Sequence, residues 1–243
     1  LTDTLHLFGM VAQAEQIPSQ SEFSSNPVLE APVSRNYEAG LKGRGKAWDF
    51  DASVYVNPVD KEIIQVNTGG VTEYVNAGKT DKRGVELAGR VEVGKGWDVG
   101  GHYGYADYTY ESFSEPVRTC VGIPPVCTTT NVDRAGNHLP FVPKHQYGVF
   151  VGWTPAADWR VRLSSNTWGE YWLDNANTEK YEGWEWITNL SVAYARKGHS
   201  LTFSADNLFD EHYAAEVKKD TAGKVTYTAA APRTLTLTYR YGF

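Results

Sequence analysis

The sequence predicts an all-β fold, an antiparallel up-and-down sheet of about ten strands arranged as a transmembrane barrel. Three observations in the 243-residue chain support this fold class. Apolar and polar residues alternate with a period of two, which is the repeat of a strand with two different faces. Short and long links between the strands also alternate, and aromatic residues lie at the ends of the apolar stripes.

The alternation defines the strands in chain order, the first two being weaker than the rest. The predicted strands lie near residues 4–12, 34–43, 47–57, 82–94, 97–108, 145–154, 159–168, 184–196, 200–210 and 233–243. From the third onward, their apolar stripes are Trp48, Phe50, Ala52, Val54 and Val56; Val85, Leu87, Val91 and Val93; Trp97, Val99, Tyr103 and Tyr105; Tyr147, Val149, Val151 and Trp153; Trp159, Val161 and Leu163; Trp184, Trp186, Leu190, Val192 and Tyr194; Leu201, Phe203 and Ala205; and Leu235, Leu237, Tyr239, Tyr241 and Phe243.

The links favour a membrane barrel over a soluble β-sandwich or a soluble β lectin. Tight polar links at 43–47, 94–96, 154–158 and 196–199 alternate with long links around 12–33, 57–81, 108–144, 169–183 and 211–233. Long loops at one end of an up-and-down sheet are typical of outer-membrane barrels. Aromatic residues at both stripe ends are typical of the two interfacial girdles. We expect Trp48, Trp97, Trp153 and Trp159 beside the short turns, with Tyr105 and Trp184 nearer the long loops.

Charge and composition exclude several other classes of protein. No run approaches the roughly 20 consecutive apolar residues that a membrane-spanning helix requires. The net charge is −6, whereas proteins that bind nucleic acid normally carry a basic excess. Buried in a dry core, the charges of the polar stripes would be costly, so we expect them to face a wet lumen or another polar domain. These charged residues are Glu86, Arg90, Glu92, Asp98, Arg160, Arg162 and Arg240.

The two cysteines, Cys120 and Cys127, bracket a segment that contains Gly122, Pro124 and Pro125. This composition favours a tight reversal and a local disulfide formed in an oxidising compartment, with two unpaired thiols as the alternative. The spacing does not match a zinc site, and neither a metal nor a cofactor is expected.

Five ordered motifs resemble those of the TonB-dependent outer-membrane receptors. They are Asn26-Pro27-Val28-Leu29 followed by Tyr37-Glu38-Ala39-Gly40-Leu41-Lys42; Asn76-Ala77-Gly78 followed by Gly84-Val85-Glu86-Leu87; the segment from Gly136 to His145 with the sequence GNHLPFVPKH; Asn207-Leu208-Phe209-Asp210 with Tyr213; and Pro232-Arg233 before a terminal strand that ends in Phe243. Each motif alone is weak, but together they cover almost the whole chain in the family order.

The resemblance implies a barrel of about 22 strands filled by a plug, of which this chain supplies the last ten strands. The plug and its TonB box would then be missing from this chain, and Leu1 would be a cut end rather than an initiator. The implied partners are the plug and the remaining strands, outer-membrane lipid, and the TonB–ExbB–ExbD complex acting through the plug. Tyr239, Tyr241 and Phe243 resemble the terminal signal that the barrel-assembly machinery reads.

The resemblance also implies uptake of a scarce nutrient, most often a ferric siderophore, with haem and cobalamin as alternatives. The haem receptors of the family carry a His between two motifs, and no His lies in the corresponding stretch from Gln16 to Leu29. Arginine and aromatic side chains on long loops suit anionic aromatic chelates by charge and stacking. The candidate ligand-binding residues are therefore Arg118, Arg134, Trp168, Tyr171, Trp172 and Tyr181.

No catalytic motif is visible, since GxSxG, HExxH and phosphate-loop patterns are absent from the sequence. The rival hypothesis is a self-contained barrel enzyme of about ten strands, comparable to surface proteases. That enzyme would need an Asp/His set at its rim, and the candidates are Asp107, Asp210 and His212. The ordered motifs favour the receptor.

Overall fold

The computed structural model describes residues 4–68, 71–219 and 223–242. Phe243, which the sequence places in the assembly signal, lies outside the described residues. In chain order the elements are β1 (Leu5–Glu15), α1 (Gln20–Ser25), β2 (Val33–Arg44), β3 (Trp48–Asp60), β4 (Ile63–Thr68), β5 (Val71–Asn76), β6 (Lys79–Gly94), β7 (Trp97–Ser112), β8 (Ser114–Val121), β9 (Val126–Asp133), β10 (His145–Trp153), β11 (Trp159–Trp168), β12 (Tyr171–Trp172), β13 (Lys180–Tyr181), β14 (Trp184–Arg196), β15 (His199–Asp206), β16 (Ala214–Lys219), β17 (Val225–Ala229) and β18 (Thr234–Tyr241).

One sheet of 10 strands organises the chain, in the order β1-β2-β3-β6-β7-β10-β11-β14-β15-β18. All neighbours in this sheet are antiparallel, so the predicted all-β up-and-down fold is confirmed. Within the described residues, β1 and β18 pair on one side only, and the sheet is open. No helix among those residues is long and apolar enough to cross a membrane.

The strand register separates an apolar face from a polar face, because directly paired residues point to the same side of a sheet. Val151 of β10 lies opposite Val99 of β7 and Leu163 of β11, and Leu237 of β18 lies opposite Phe203 of β15. These residues belong to the apolar face, and most of its large side chains are exposed. A soluble domain does not normally leave so extensive an apolar surface uncovered.

Two rows of aromatic residues border the apolar face. Beside the short turns, the ring centroids of Trp97 and Trp153 are 5.2 Å apart, and those of Trp159 and Tyr194 are 5.0 Å apart. Toward the loops, the pair Tyr147–Trp186 has a centroid distance of 5.5 Å, and Tyr105 and His145 are separated by 5.3 Å. The stretch of β7 from Trp97 to Tyr105 contains about nine residues, which is enough for a tilted strand to cross a bilayer.

The prediction that Trp184 belongs to the loop-side aromatic row is wrong. The pairing of β11 with β14 shifts register between Asn166 and Trp168, and Trp186 has a left-handed backbone with φ of 56°. A bulge of this kind re-aims the side chains beyond it. Trp186 stays on the apolar face against Tyr147, whereas Trp184 packs on Trp168 and Tyr213.

The long links are folded rather than extended, which the alternation did not predict. Four of them contain a hairpin of their own, namely β4–β5, β8–β9, β12–β13 and β16–β17. The link before β2 contains the short helix α1, which begins with a capping box between Ser19 and Glu22. At the end of β15 the chain leaves the sheet at Asp206, and Asn207 and Asp210 both adopt positive φ at the corner. The four hairpins contact one another at the long-link end of the sheet, and we call them the loop cluster.

Candidate functional site: the polar wall and the loop cluster

An ion-pair network covers the polar face near the short turns. Its centre is Asp98, which is only 5% exposed and accepts a hydrogen bond from Nε of Arg90 at 3.1 Å. Arg90 also donates to Glu92 at 2.7 Å, and Arg160 approaches Asp98 to 3.9 Å. The network can keep these charges on a barrel wall, because each buried charge has opposite charges beside it.

Glycines on the same face make room for large side chains. A Cβ built on Gly100 would lie 2.7 Å from the ring of Phe150, so only glycine fits beneath that ring. The guanidinium of Arg162 lies over the same ring, 3.6 Å from its centroid, in a cation–π contact. Phe150 and Arg162 help to line a cavity of about 700 Å³, together with His6, Lys42, Asp49 and His102. We call this face of the sheet, which carries Arg90, Asp98, Phe150 and Arg162, the polar wall. It contains a cavity and is not a flat surface.

Above the sheet, the side chain of Asn175 joins several loops. Its Oδ1 accepts a hydrogen bond from the hydroxyl of Tyr110 at 2.8 Å. Its Nδ2 donates to the carbonyl oxygen of Gln65 at 3.1 Å and to Glu115 at 2.9 Å. The backbone carbonyl of Asn175 accepts from Asn137. Because this buried amide is satisfied by partners from β4, β7 and β8, it holds their positions relative to one another.

A second contact region joins the β12–β13 and β16–β17 hairpins. Tyr171, Leu173 and Val217 form a buried apolar cluster there. The hydroxyl of Tyr171 donates to the carbonyl of Val217 at 3.1 Å and accepts from its amide at 3.0 Å. The hydroxyl of Tyr181 donates to the carbonyl of Ala214 at 2.7 Å. These buried and half-buried bonds connect the two hairpins.

An ion pair completes the link between these hairpins. The ammonium of Lys219 lies 2.7 Å from Asp174 and 3.1 Å from Glu179. Burial alone would raise the pKa of Asp174, but hydrogen bonds from Lys219 and Thr178 outweigh it and hold the pKa below its usual 3.8. The hydrogen bond to Asp174 raises the pKa of Lys219 above 10.5. Both groups are therefore charged at neutral pH.

The predicted ligand-binding residues divide into structural and accessible ones. Arg134 forms an ion pair with Glu115 at 2.7 Å, with both side chains largely buried. Trp168, Tyr171 and Tyr181 come together in or against the apolar cluster of the hairpins. Trp172 carries Nζ of Lys180 at 4.5 Å over its ring, and Arg118 is exposed on β8. The structure thus gives Arg134 and Tyr171 contacts that hold the loops together.

The remaining predicted residues lie apart from this cluster. Cys120 and Cys127 are joined by a disulfide across the tip of the β8–β9 hairpin. Tyr239 and Tyr241 lie on the apolar stripe of β18, where the hydroxyl of Tyr239 contacts Nδ1 of His199 at 2.7 Å. Asp107, a candidate for the rival enzyme, has Nδ1 of His138 at 3.4 Å. Among the described residues, no group of three or more acidic, His or Cys side chains could hold a metal ion.

Sequence reasoning missed the residues that connect the loops. Asp174 and Asn175 lie in an irregular segment and Glu115 in a strand of a loop hairpin, and none carries a motif that distinguishes it from other polar loop residues. Asn175 and Gln65 are 110 positions apart, so only the folded chain shows that they meet. Asp98 was assigned to the polar stripe, but its place at the centre of the ion-pair network is a finding of the structure.

An antiparallel sheet with a girdled apolar face, a charged polar wall and folded loops at one end defines part of an outer-membrane β-barrel. The family model described as TonB dependent receptor-like, beta-barrel, matches residues 1–208, and the chain belongs to this family. Barrels of this family are outer-membrane proteins, which agrees with the exposed apolar face. The polar wall then lines the lumen.

Individual proteins similar to this chain include a sequence relative and two solved structures with the same fold. The pesticin receptor of Yersinia enterocolitica is 24% identical over 223 residues, covering 88% of this chain and 30% of that protein. The ferric yersiniabactin uptake receptor FyuA of Yersinia pestis superposes over 100% of this chain and 36% of its own, with TM-score 0.71 and 21% identity. The copper transporter OprC superposes over 100% of this chain and 38% of its own, with TM-score 0.79 and 18% identity. The chain thus spans about a third of these proteins.

Proposed function

We propose that this chain is the C-terminal barrel segment of a TonB-dependent receptor that takes up a ferric siderophore across the outer membrane. Membership of the receptor family carries the proposal. One sequence relative is a pesticin receptor, and one structural relative, FyuA, is a ferric yersiniabactin uptake receptor, which favours an iron chelate as the cargo. The folded loop cluster, with its aromatic and cationic side chains, supports binding of such a chelate on the loop side.

The polar wall supports a plugged barrel of about 22 strands. Its ion pairs and the cavity beside Phe150 and Arg162 offer a charged, shaped surface to a polar plug domain. We assign the remaining partners on the same basis. They are the other barrel strands at β1 and β18, the TonB–ExbB–ExbD complex acting through the plug, and the barrel-assembly machinery reading Tyr239, Tyr241 and Phe243.

The contacts of the loop residues refine the proposed ligand site. Arg118, Trp172 and the accessible part of Tyr181 face the ligand, because their side chains are not fully enclosed by loop contacts. Arg134, Trp168 and Tyr171 position the loops through Glu115, Trp184 and Val217. Arg118→Ala should therefore weaken ligand binding and leave the loops in place. Arg134→Ala should weaken ligand binding and also loosen the loops, because it removes the ion pair with Glu115.

The test is uptake of radiolabelled iron, supplied as ferric catecholate, phenolate, hydroxamate and citrate chelates. Cells expressing the complete gene should accumulate at least one chelate, and uptake should stop when TonB is deleted or when the 243-residue segment is expressed alone. Energy-dependent uptake by the segment alone would contradict the partial-barrel proposal.

A copper cargo is the second candidate, because the copper transporter OprC shares the fold over the whole chain. Radiolabelled copper is therefore tested in the same cells. Copper uptake without uptake of any iron chelate would replace the siderophore proposal and keep the receptor. Uptake of haem or cobalamin alone would likewise replace the siderophore as the proposed cargo and keep the receptor function.

A further inference from the structure

A cavity of about 340 Å³ lies between the loops, apart from the large cavity on the polar wall. Its walls come from β4, from the ends of β7 and β8, from residues 139–141 and 173–175, and from the β16–β17 hairpin. The buried side chains of Ile64, Val66, Leu139 and Leu173 make most of this lining apolar. The volume lies within the range of small-molecule sites, at its lower end.

Few polar groups line the cavity, and every charged group among them already has a partner of opposite charge. Glu115 is neutralised by Arg134 at 2.7 Å, and the amide of Asn175 is hydrogen-bonded to neighbouring loops. Lys219 is held by two carboxylates, Asp174 and Glu179, which occupy two of its three N–H donors. An anionic group would gain little here, because the carboxylates outnumber the ammonium. A neutral group with one acceptor suits the remaining donor.

The cavity is held open by the loops themselves. Asn175 fixes β4, β7 and β8 around it, and Tyr171 fixes the β16–β17 hairpin through Val217. A ligand that enters a preformed apolar site does not have to order its walls, and the avoided entropy cost raises the affinity. An empty apolar cavity also costs stability, since its lining lacks contact atoms on one side. A ligand group that fills it recovers those contacts.

We propose that this cavity binds an uncharged apolar arm of the transported chelate, either an aromatic ring or a short acyl chain, with Lys219 donating to a neutral oxygen beside that arm. The charged iron centre lies outside the cavity. The inference rests on the proposed function and specifies the cargo: chelates with such an arm bind more tightly than compact hydrophilic chelates such as ferric citrate.

The experiment measures binding of the four ferric chelates to the purified product of the complete gene. Ile63→Trp places a large ring in the cavity, and Val71→Trp is the matched control on the exposed face of the same hairpin. Lys219→Met removes the donor, and Lys218→Met is its control, since Lys218 is exposed and paired with Glu216. Surface labelling of intact cells verifies that each variant is assembled.

For the chelate bound most tightly by the wild type, we expect an aromatic or acyl arm and a dissociation constant raised about tenfold or more by Ile63→Trp. Lys219→Met should weaken the same chelate, while both control variants should bind as the wild type does. Preference for ferric citrate, or equal binding by Ile63→Trp and Val71→Trp, would overturn the inference and leave the receptor function intact. Binding of no iron chelate by the wild type would overturn the proposed function itself.

Discussion

Leu163 tests the assignment of the two faces at the level of one residue. It lies midway along β11, between the aromatic rows, opposite Val151 and Leu190. An arginine on the lipid face near the bilayer midplane costs about 2–4 kcal/mol, so Leu163→Arg should reduce the free energy of unfolding by that amount. Ser164→Arg places the same charge on the polar face and should be tolerated. Denaturant unfolding of the complete gene product in lipid vesicles measures the free energy of unfolding of each variant. Equal losses in the two variants would show that the faces are not distinct.

The ion pair of Asp174 and Lys219 predicts how the loops respond to pH. The pKa of Asp174 is depressed, so its stabilising contribution is present above pH 3.8 and is lost as the pH falls through the lower folded value. The pKa of Lys219 is raised, so its contribution is present below pH 10.5 and is lost at higher pH. Hydrogen exchange, corrected for intrinsic rates, should show the β16–β17 hairpin loosening below about pH 4. Asp174→Asn should already be loosened at pH 7 and show little further change.

Among the elements, the β8–β9 hairpin depends on its disulfide. The bond closes a loop with a sequence separation of 7, and the chain-entropy relation assigns about 2–3 kcal/mol to a loop of this size. The double variant Cys120→Ser/Cys127→Ser should reduce the exchange protection of the hairpin amides by that amount. Val121→Ser changes an exposed neighbour and serves as the control. Unchanged protection in the double variant would mean that the strand pairing alone holds the hairpin.

The packing of β16–β17 depends on one hydroxyl. Tyr171→Phe keeps the buried ring but leaves the amide and carbonyl of Val217 without this partner. Loss of the hydrogen bonds should cost about 1–3 kcal/mol and loosen the hairpin before the sheet. Tyr227→Phe, at an exposed position in the same hairpin, is the control. If the two variants show the same exchange rates, the hairpin is held by its apolar contacts.

The sheet strands were predictable because lipid on one side and a polar lumen on the other impose strict alternation, as in β11 and β18. The loop hairpins were not predictable on that basis. Strands such as β4 and β16 have no lipid-facing stripe, and their positions depend on distant partners such as Asn175 and Tyr171. The same limit applies to the site, where residue type suggested Arg134 and Tyr171 but only their contacts show that they support the loops.

At the scale of the whole molecule, the open sheet determines what the chain does in a membrane. Within the described residues, β1 and β18 each have an unpaired edge, and an unpaired backbone group in lipid costs several kcal/mol. The 243-residue segment should therefore fail to insert as a protease-resistant monomer into lipid vesicles, whereas the complete gene product should insert. Stable insertion of the segment as a monomer would show that these strands close on themselves.

The shared amide of Asn175 also limits how such loops diversify during evolution. Because Gln65, Tyr110 and Glu115 meet at one side chain, a length change in any one of their loops displaces the others. New cargo specificity would then arise through coordinated changes in several loops, and a chimaera that inherits a single foreign hairpin would lose the arrangement of its neighbours. The loops that share the contacts of Asn175 would therefore be exchanged between receptors together and not one at a time.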